Sequence, residues 1–126
     1  MREILFRGKR LDTGEWAEGD LIRLPGSNLC SIACHRYTDN EPRDVYAVDA
    51  ETVGQLTGLK DKNGKDIYEG DVLIDGAGDM CQVVFKYAES QLECPSDEYY
   101  RKIWEDECEV IGSIHDNPDL LKTQQS

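Results

Sequence analysis

The 126-residue chain lacks any apolar stretch close to the roughly 20 residues that a membrane-spanning helix needs. No apolar run of signal-peptide length follows Met1-Arg2-Glu3 either. We therefore expect a protein that makes no membrane contact and remains in the cytoplasm.

Basic residues are also scarce, since 14 Lys and Arg stand against 26 Asp and Glu and give a net charge of −12. Nucleic-acid binding through phosphates needs clustered cations, so a protein partner is the better expectation. An alternative stays open because two short basic groups exist. They comprise Arg2, Arg7, Lys9 and Arg10, and then Lys60, Lys62 and Lys65. A small barrel could present both to single-stranded nucleic acid, with Trp16 or Tyr68 stacking on bases. The acidic surplus could instead mimic DNA toward a host protein.

Sequence motifs of catalysis and cofactor binding are missing as well. There is no EF-hand spacing, no HExxH pair and no phosphate-binding glycine motif. The two histidines, His35 and His115, do not form a recognisable nucleophile and base arrangement. Acid pairs such as Glu18 with Asp20 could bind a divalent ion, but ordinary surface carboxylates have the same spacing. We predict a protein that is not an enzyme and has no cofactor.

Five cysteines occur at positions 30, 34, 81, 94 and 108, and their odd number and scatter argue against a disulfide framework. Cys30, Cys34 and His35 form the one close group of metal-ligand types, and a tetrahedral zinc site would need further ligands from elsewhere. Cys81, Cys94 and Cys108 are candidates in principle. Buried cysteines that pack as small apolar residues are the preferred interpretation, so we predict no metal.

Turn signals organise the chain around residues 52–75. Asn63-Gly64 is typical of a tight turn, and Gly70-Asp71 precedes an apolar, β-prone run. The Glu-Gly-Asp of this second turn also occurs at residues 18–20, which predicts the same local turn before two strands. The predicted turn residues are Gly19, Asp20, Asn63, Gly64, Gly70 and Asp71.

The pattern of apolar residues predicts a mainly β protein of one domain over residues 1–126. Strands are expected at 4–9, 15–24, 29–34, 45–48, 53–59, 72–75, 80–87 and 108–114. Asn117-Pro118 is typical of the start of a short C-terminal helix, and residues 122–126 should fray. Residues 99–104 fit a helix or a strand, and we favour loop and strand over the whole of 88–107.

Several segments resemble a known family. They are residues 1–8, Gly14-Glu15-Trp16, the long block Thr52–Val72 and Glu109–Leu121, in that order along the chain. The sequence is similar in these segments to the YopX family of phage and prophage proteins. The resemblance implies a small, partly open SH3-like β-barrel with extra strands, a host bacterial cell, and no established activity or catalytic residues.

Together these observations favour a non-enzymatic module that associates with copies of itself and binds a host or phage protein. Aromatic and basic residues outside the apolar runs define the predicted interaction surface. Its members are Trp16, Lys60, Lys62, Lys65, Tyr68 and Trp104.

Overall fold

The computed structural model describes residues 4–23, 25–26, 29–34, 44–95 and 98–121. The mainly β prediction is confirmed, because these residues form antiparallel strands and one short 3-10 helix, Ala50–Thr52. The chain divides into two compact units, Met1–Leu56 and Thr57–Ser126. Whether the two units fold together as one domain, as the sequence predicts, is not decided by this division and stays a prediction. Within the described residues, no helix is both long enough and apolar enough to span a membrane.

Unit 1 is a curled antiparallel sheet. Its strands are β1 (Phe6–Lys9), β2 (Trp16–Arg23), β3 (Cys30–Cys34), β4 (Val45–Val48) and the first residues of β5 (Gly54–Lys60), in the order β4-β3-β2-β1-β5. Because side chains alternate along each strand, one face is buried and holds Ala17, Cys30, Ile32 and Val48. The other face carries Arg7, Lys9 and Trp16, since Lys9 pairs with Trp16 and Arg7 with Glu18.

The two ends of this sheet meet at one corner. Arg10 forms an isolated bridge with Val48, and the Asp49 amide donates to the Lys9 carbonyl at 2.8 Å. Gly8 permits the approach, because a Cβ at this position would lie 2.9 Å from Cγ2 of Val48. Among the described residues the strands do not close into a complete barrel.

The predicted turn at Gly19-Asp20 is wrong, because both residues lie inside β2. Gly19 is buried and pairs with Phe6 on one side and Cys34 on the other. A Cβ on Gly19 would collide with the carbonyl oxygen of Ala33. The glycine is therefore needed for close strand packing in the sheet interior, a role that the Glu-Gly-Asp pattern does not distinguish from a turn.

Unit 2 contains the end of β5, β6 (Asp66–Tyr68) beside it, and a four-stranded sheet. The sheet strands are β7 (Asp71–Ile74), β8 (Met80–Lys86), β9 (Glu89–Glu93) and β10 (Glu109–Ser113), in the order β10-β7-β8-β9. β7 and β8 pair as an antiparallel hairpin, with Leu73 opposite Cys81. The core of this unit consists of Ile67, Leu73, Cys81, Val83, Leu92, Cys94, Ile103 and Cys108.

The predicted C-terminal helix is not found in the described residues up to 121. Residues 114–116 and 118–121 form turns instead. The Asn117 side chain explains the difference, because its Oδ1 accepts a hydrogen bond from the backbone N–H of Ser113. Asn117 therefore closes a turn at the end of β10 rather than capping a following helix. Residues 122–126 lie outside the described part of the chain.

Candidate interaction surface

Trp104 forms one wall of a cleft in unit 2, called here the tryptophan cleft. The cleft has a volume of about 410 Å³ and is lined by Asp75, Gly76, Ala77, Leu92, Arg101, Lys102, Trp104 and Glu107. Trp104 is 55% exposed, and the Lys102 ammonium lies 4.6 Å from its ring centroid. A large ring held by a neighbouring cation and left open to solvent is a common anchor of protein interfaces.

Arg101 fixes the floor of the tryptophan cleft. Its backbone exchanges two hydrogen bonds with Leu92, at 2.7 and 2.8 Å. Its guanidinium Nη1 donates to Asp75 at 2.6 Å and to Asp79 at 3.0 Å. Arg101 therefore pairs with β9 as an isolated bridge, and the residues on either side of it form no regular element, which agrees with the predicted loop and strand.

The Asp75 carboxylate organises the loop that precedes β8. Its Oδ1 accepts hydrogen bonds from the N–H groups of Ala77 and Asp79, each at 3.0 Å. Burial raises the pKa of Asp75, but the Arg101 hydrogen bond and these N–H groups outweigh it, so the pKa is lowered overall. The carboxylate is therefore ionised at neutral pH.

A second, larger cleft in unit 2 is rich in tyrosine and is called the tyrosine cleft. Its volume is about 560 Å³, and its lining residues are Gln82, Glu93, Cys94, Pro95, Glu98, Tyr99, Tyr100 and Leu121. Tyr99 is 76% exposed, and two carboxylates accompany the rings. Aromatic faces beside carboxylates suit a cationic side chain of a partner.

The β8–β9 hairpin places another tyrosine beside this cleft. Tyr87 is 84% exposed, and its ring meets that of Tyr100 edge-on at a centroid distance of 5.9 Å. Tyr87 and Ala88 form the two-residue turn, with φ angles of 54° and 64°. Such a turn is usually made by Asn-Gly, because side chains disfavour positive φ. The hairpin thus presents an exposed ring on a strained turn, which is a feature that often marks functional sites.

Two of the cysteines in the core of unit 2 are joined to each other. Cys81 and Cys94 form a disulfide, and their Cα atoms are 4.3 Å apart. Cys81 precedes Gln82 and Cys94 follows Glu93, and because Gln82 pairs with Glu93, the two cysteines are the next opposing pair of the antiparallel register. The sequence argument against disulfides is wrong for this pair. The two cysteines come together because of the register of the β8–β9 hairpin, and the loosely patterned residues 88–107 do not reveal this register. Cys30, Cys34 and Cys108 are free thiols.

The predicted lysines lie in the β5–β6 turn, where acidic residues accompany them. Lys60 Nζ lies 3.2 Å from Asp66, and Lys62 Nζ lies 3.7 Å from Glu109. Lys65 is exposed in the same turn. Pairing with carboxylates reduces the positive potential that phosphates would meet, so this group is a poorer nucleic-acid surface than its sequence suggests.

Asp61 shapes this turn, although it is not among the residues predicted from the sequence. The carboxylate is buried and accepts hydrogen bonds from the N–H groups of Asn63, Lys65 and Val110, at 2.9, 2.9 and 3.0 Å. Gly64 adopts a φ of 82°, as the Asn-Gly pair predicts. The sequence feature that could have identified Asp61 is its position two residues before the Asn63-Gly64 turn.

The remaining predicted residues are distributed over both units. Trp16 belongs to unit 1, where the Arg7 guanidinium carbon lies 4.3 Å and Lys9 Nζ 5.3 Å from its ring centroid. Tyr68 is only 4% exposed and belongs to the interior of unit 2. Because it is buried, Tyr68 does not belong with the exposed aromatic residues.

The predicted turn residues near Tyr68 lie as expected. Gly70 has a φ of 91°, and the buried Asp71 accepts a hydrogen bond from the Tyr68 N–H at 2.8 Å. His115 lies beside Gly70, because a Cβ there would be 3.4 Å from its Nε2. His35, the third member of the Cys30 and Cys34 group, lies outside the described residues.

Comparisons with known proteins identify the family. The model of the YopX protein family matches residues 5–122. The chain belongs to the YopX family. A crystal structure of protein EF1440 from Enterococcus faecalis is similar, with a TM-score of 0.63 and 25% sequence identity over 96% of this chain and 99% of that one. No curated protein matches the sequence. The family membership predicted from the sequence is thus confirmed.

Proposed function

We propose that this YopX-family protein is a phage- or prophage-encoded, non-enzymatic interaction module that associates with copies of itself and binds another protein in the bacterial cytoplasm. The observation that carries the proposal is the set of exposed aromatic side chains in unit 2. Phe85, Tyr87, Tyr99 and Trp104 are all more than half exposed. Aromatic residues are enriched in protein interfaces because each contributes a large contact area at a small entropic cost.

The fold supports this role through its curled sheet. The Arg10–Val48 bridge, by which β4 meets the end of β1, supports the proposal of a partly open, SH3-like barrel in unit 1. Unit 2 then supplies the extra strands and the two clefts. A compact scaffold that positions rigid aromatic anchors is what a binding module requires.

The chemistry of the clefts favours a basic partner for binding beyond self-association. Glu93 and Glu98 line the tyrosine cleft, and the whole chain has a net charge of −12. Opposite charge on the partner would speed association and select against acidic proteins. A basic segment of a host or phage protein is therefore the proposed external ligand.

Self-association is tested by light scattering on the purified protein and on single variants. We expect the wild type to have a mass that is a defined multiple of 14.3 kDa. Trp104→Ala, Tyr99→Ala and Tyr87→Ala should each weaken association about tenfold or more, as the loss of interface anchors does. Leu11→Ala is the matched control, because Leu11 is also exposed but lies in unit 1. A wild-type monomer, or equal masses for all variants, would contradict self-association.

A second candidate function is single-strand nucleic-acid binding by unit 1. It is favoured by cations close to aromatic rings of two strands, because Arg7 and Lys9 contact Trp16 of β2 and the Arg10 guanidinium carbon lies 3.9 Å from the centroid of Tyr46 in β4. Such rings could stack on bases while the cations contact phosphates. Fluorescence anisotropy with a labelled oligonucleotide should then show binding that weakens with salt and is lost in Trp16→Ala. If the acidic surface instead mimics DNA, this chain should compete with DNA for binding to a host protein.

A further inference from the structure

Three metal-ligand side chains meet at one end of the unit 2 sheet. One carboxylate oxygen of Asp75 and the sulfurs of Cys81 and Cys94 all lie within 4.8 Å of one another. Asp75 follows β7, Cys81 belongs to β8 and Cys94 follows β9, so three adjacent strands contribute one ligand each. Both cysteines are buried and Asp75 is partly buried.

The dimensions of this cluster suit zinc once the disulfide is opened. Zinc binds sulfur at about 2.3 Å and carboxylate oxygen at about 2.0–2.2 Å with tetrahedral geometry, so neighbouring ligand atoms lie roughly 3.5–3.8 Å apart. Two thiols released from a disulfide move apart to a similar contact distance. Small rotations of side chains can therefore produce the required spacing without a change in the strand pairing.

Asp75 retains capacity for a metal ion. A carboxylate offers about four lone-pair positions. Three of these accept hydrogen bonds, from Ala77 and Asp79 at Oδ1 and from Arg101 at Oδ2. Metal-binding carboxylates are typically oriented by outer hydrogen bonds of this kind. Ala77, Asp79 and Arg101 would thus hold Asp75 in place while its remaining position faces the metal.

Arg101 is a cation beside the cluster, but it does not oppose this occupant. A zinc ion carries two positive charges, and two thiolates carry two negative charges. The zinc-loaded cluster therefore has the same formal charge as the disulfide form, in which Arg101 already forms ion pairs with Asp75 and Asp79. The preference of thiolates for zinc over magnesium or calcium specifies the metal class.

We propose that unit 2, with its Cys81–Cys94 disulfide reduced, binds one Zn²⁺ through Cys81, Cys94 and Asp75, with water as the fourth ligand. Reduction by a thiol reductant of the cell breaks the sulfur–sulfur bond, gives two thiols and leaves the reductant as a disulfide. Zinc then replaces the two thiol protons, which are released to solvent. The cluster thereby alternates between a disulfide and a metal bridge across the same strand pair.

Zinc titration of the full chain tests the proposal. A water-soluble phosphine opens the disulfide and becomes a phosphine oxide with one water consumed, so no competing thiol is added. We expect one Zn²⁺ per chain by native mass spectrometry, and a cobalt complex with thiolate charge-transfer absorption. Cys81→Ser and Cys94→Ser should weaken zinc binding by more than the roughly 10- to 100-fold that loss of an outer hydrogen-bond partner causes.

Controls separate this site from other cysteines and from unfolding. Cys34→Ser and Cys108→Ser should keep stoichiometric binding, because neither residue belongs to the cluster. In the reduced wild type, zinc should protect Cys81 and Cys94, but not Cys34, from alkylation as mapped by mass spectrometry. This second readout needs no variant. Absence of binding, protection of Cys34 instead, or retention of binding by Cys81→Ser would overturn the proposal.

Discussion

Asp61 links three backbone N–H groups through one buried carboxylate, so its substitution should affect stability directly. Asp61→Asn removes the charge and one accepting oxygen, which leaves at least one buried N–H without its partner. We expect a loss of about 1–3 kcal/mol in the free energy of unfolding, measured by urea denaturation at pH 7. Asp66→Asn serves as the control, since the exposed Lys60–Asp66 pair should contribute less than about 1 kcal/mol.

The same residue gives a prediction on pH. Burial raises the pKa of Asp61, but the hydrogen bonds from Val110, Lys65 and Asn63 outweigh it and lower the pKa overall. Its stabilising contribution is therefore present above the unfolded value of about 3.9 and is lost as the pH falls through the lower folded value. The stability difference between the wild type and Asp61→Asn should narrow below about pH 4. A difference that stays constant down to pH 2 would contradict this assignment.

Ala88 is the residue at which a substitution should stabilise the protein. Its φ of 64° is unfavourable for alanine and readily adopted by glycine. Ala88→Gly should therefore raise the free energy of unfolding by about 1 kcal/mol. Ala47→Gly, at an exposed position in β4, should instead lower it by about 0.5–1 kcal/mol. Equal effects of the two changes in thermal unfolding would show that Ala88 is not strained.

At the scale of the strand, close packing around Gly19 makes β2 intolerant of any side chain there. Gly19→Ala would force the Cβ into the Ala33 carbonyl, so β2 and β3 must separate. We expect a loss of about 2 kcal/mol or more in urea denaturation. Glu18→Ala, one residue earlier on the exposed face of β2, should change stability by less than about 0.5 kcal/mol.

Most strands could be predicted because they are short runs of apolar, β-prone residues bounded by turn signals, as Asp71–Ile74 is by Gly70 and Gly76. β9 was not predicted as a separate element, since the Tyr87-Ala88 turn before it lacks the usual Asn or Gly. The cluster of Asp75, Cys81 and Cys94 depends on the register of that hairpin. Its residues are too far apart in the sequence, and too ordinary in type, to be associated without the register.

At the scale of the whole molecule, the net charge of −12 should oppose association between copies. If aromatic contacts drive self-association, added salt screens this repulsion and strengthens it. We expect the average mass from light scattering to rise, or the dissociation constant to fall, between about 0.01 and 0.5 M salt. A mass that falls with salt would instead indicate attraction between unlike charged patches and would weaken the aromatic assignment.

The position of the Cys81–Cys94 link relative to the Tyr87-Ala88 turn affects how the hairpin is aligned. A slip of β9 by one residue against β8 would turn Leu92 out of the core, where it now lies opposite Val83. A turn of poor intrinsic propensity does little to prevent such a slip, whereas a covalent link between opposing residues at the open end forbids it. The register of this hairpin is therefore set by the disulfide at its open end, and not by the turn that joins its strands.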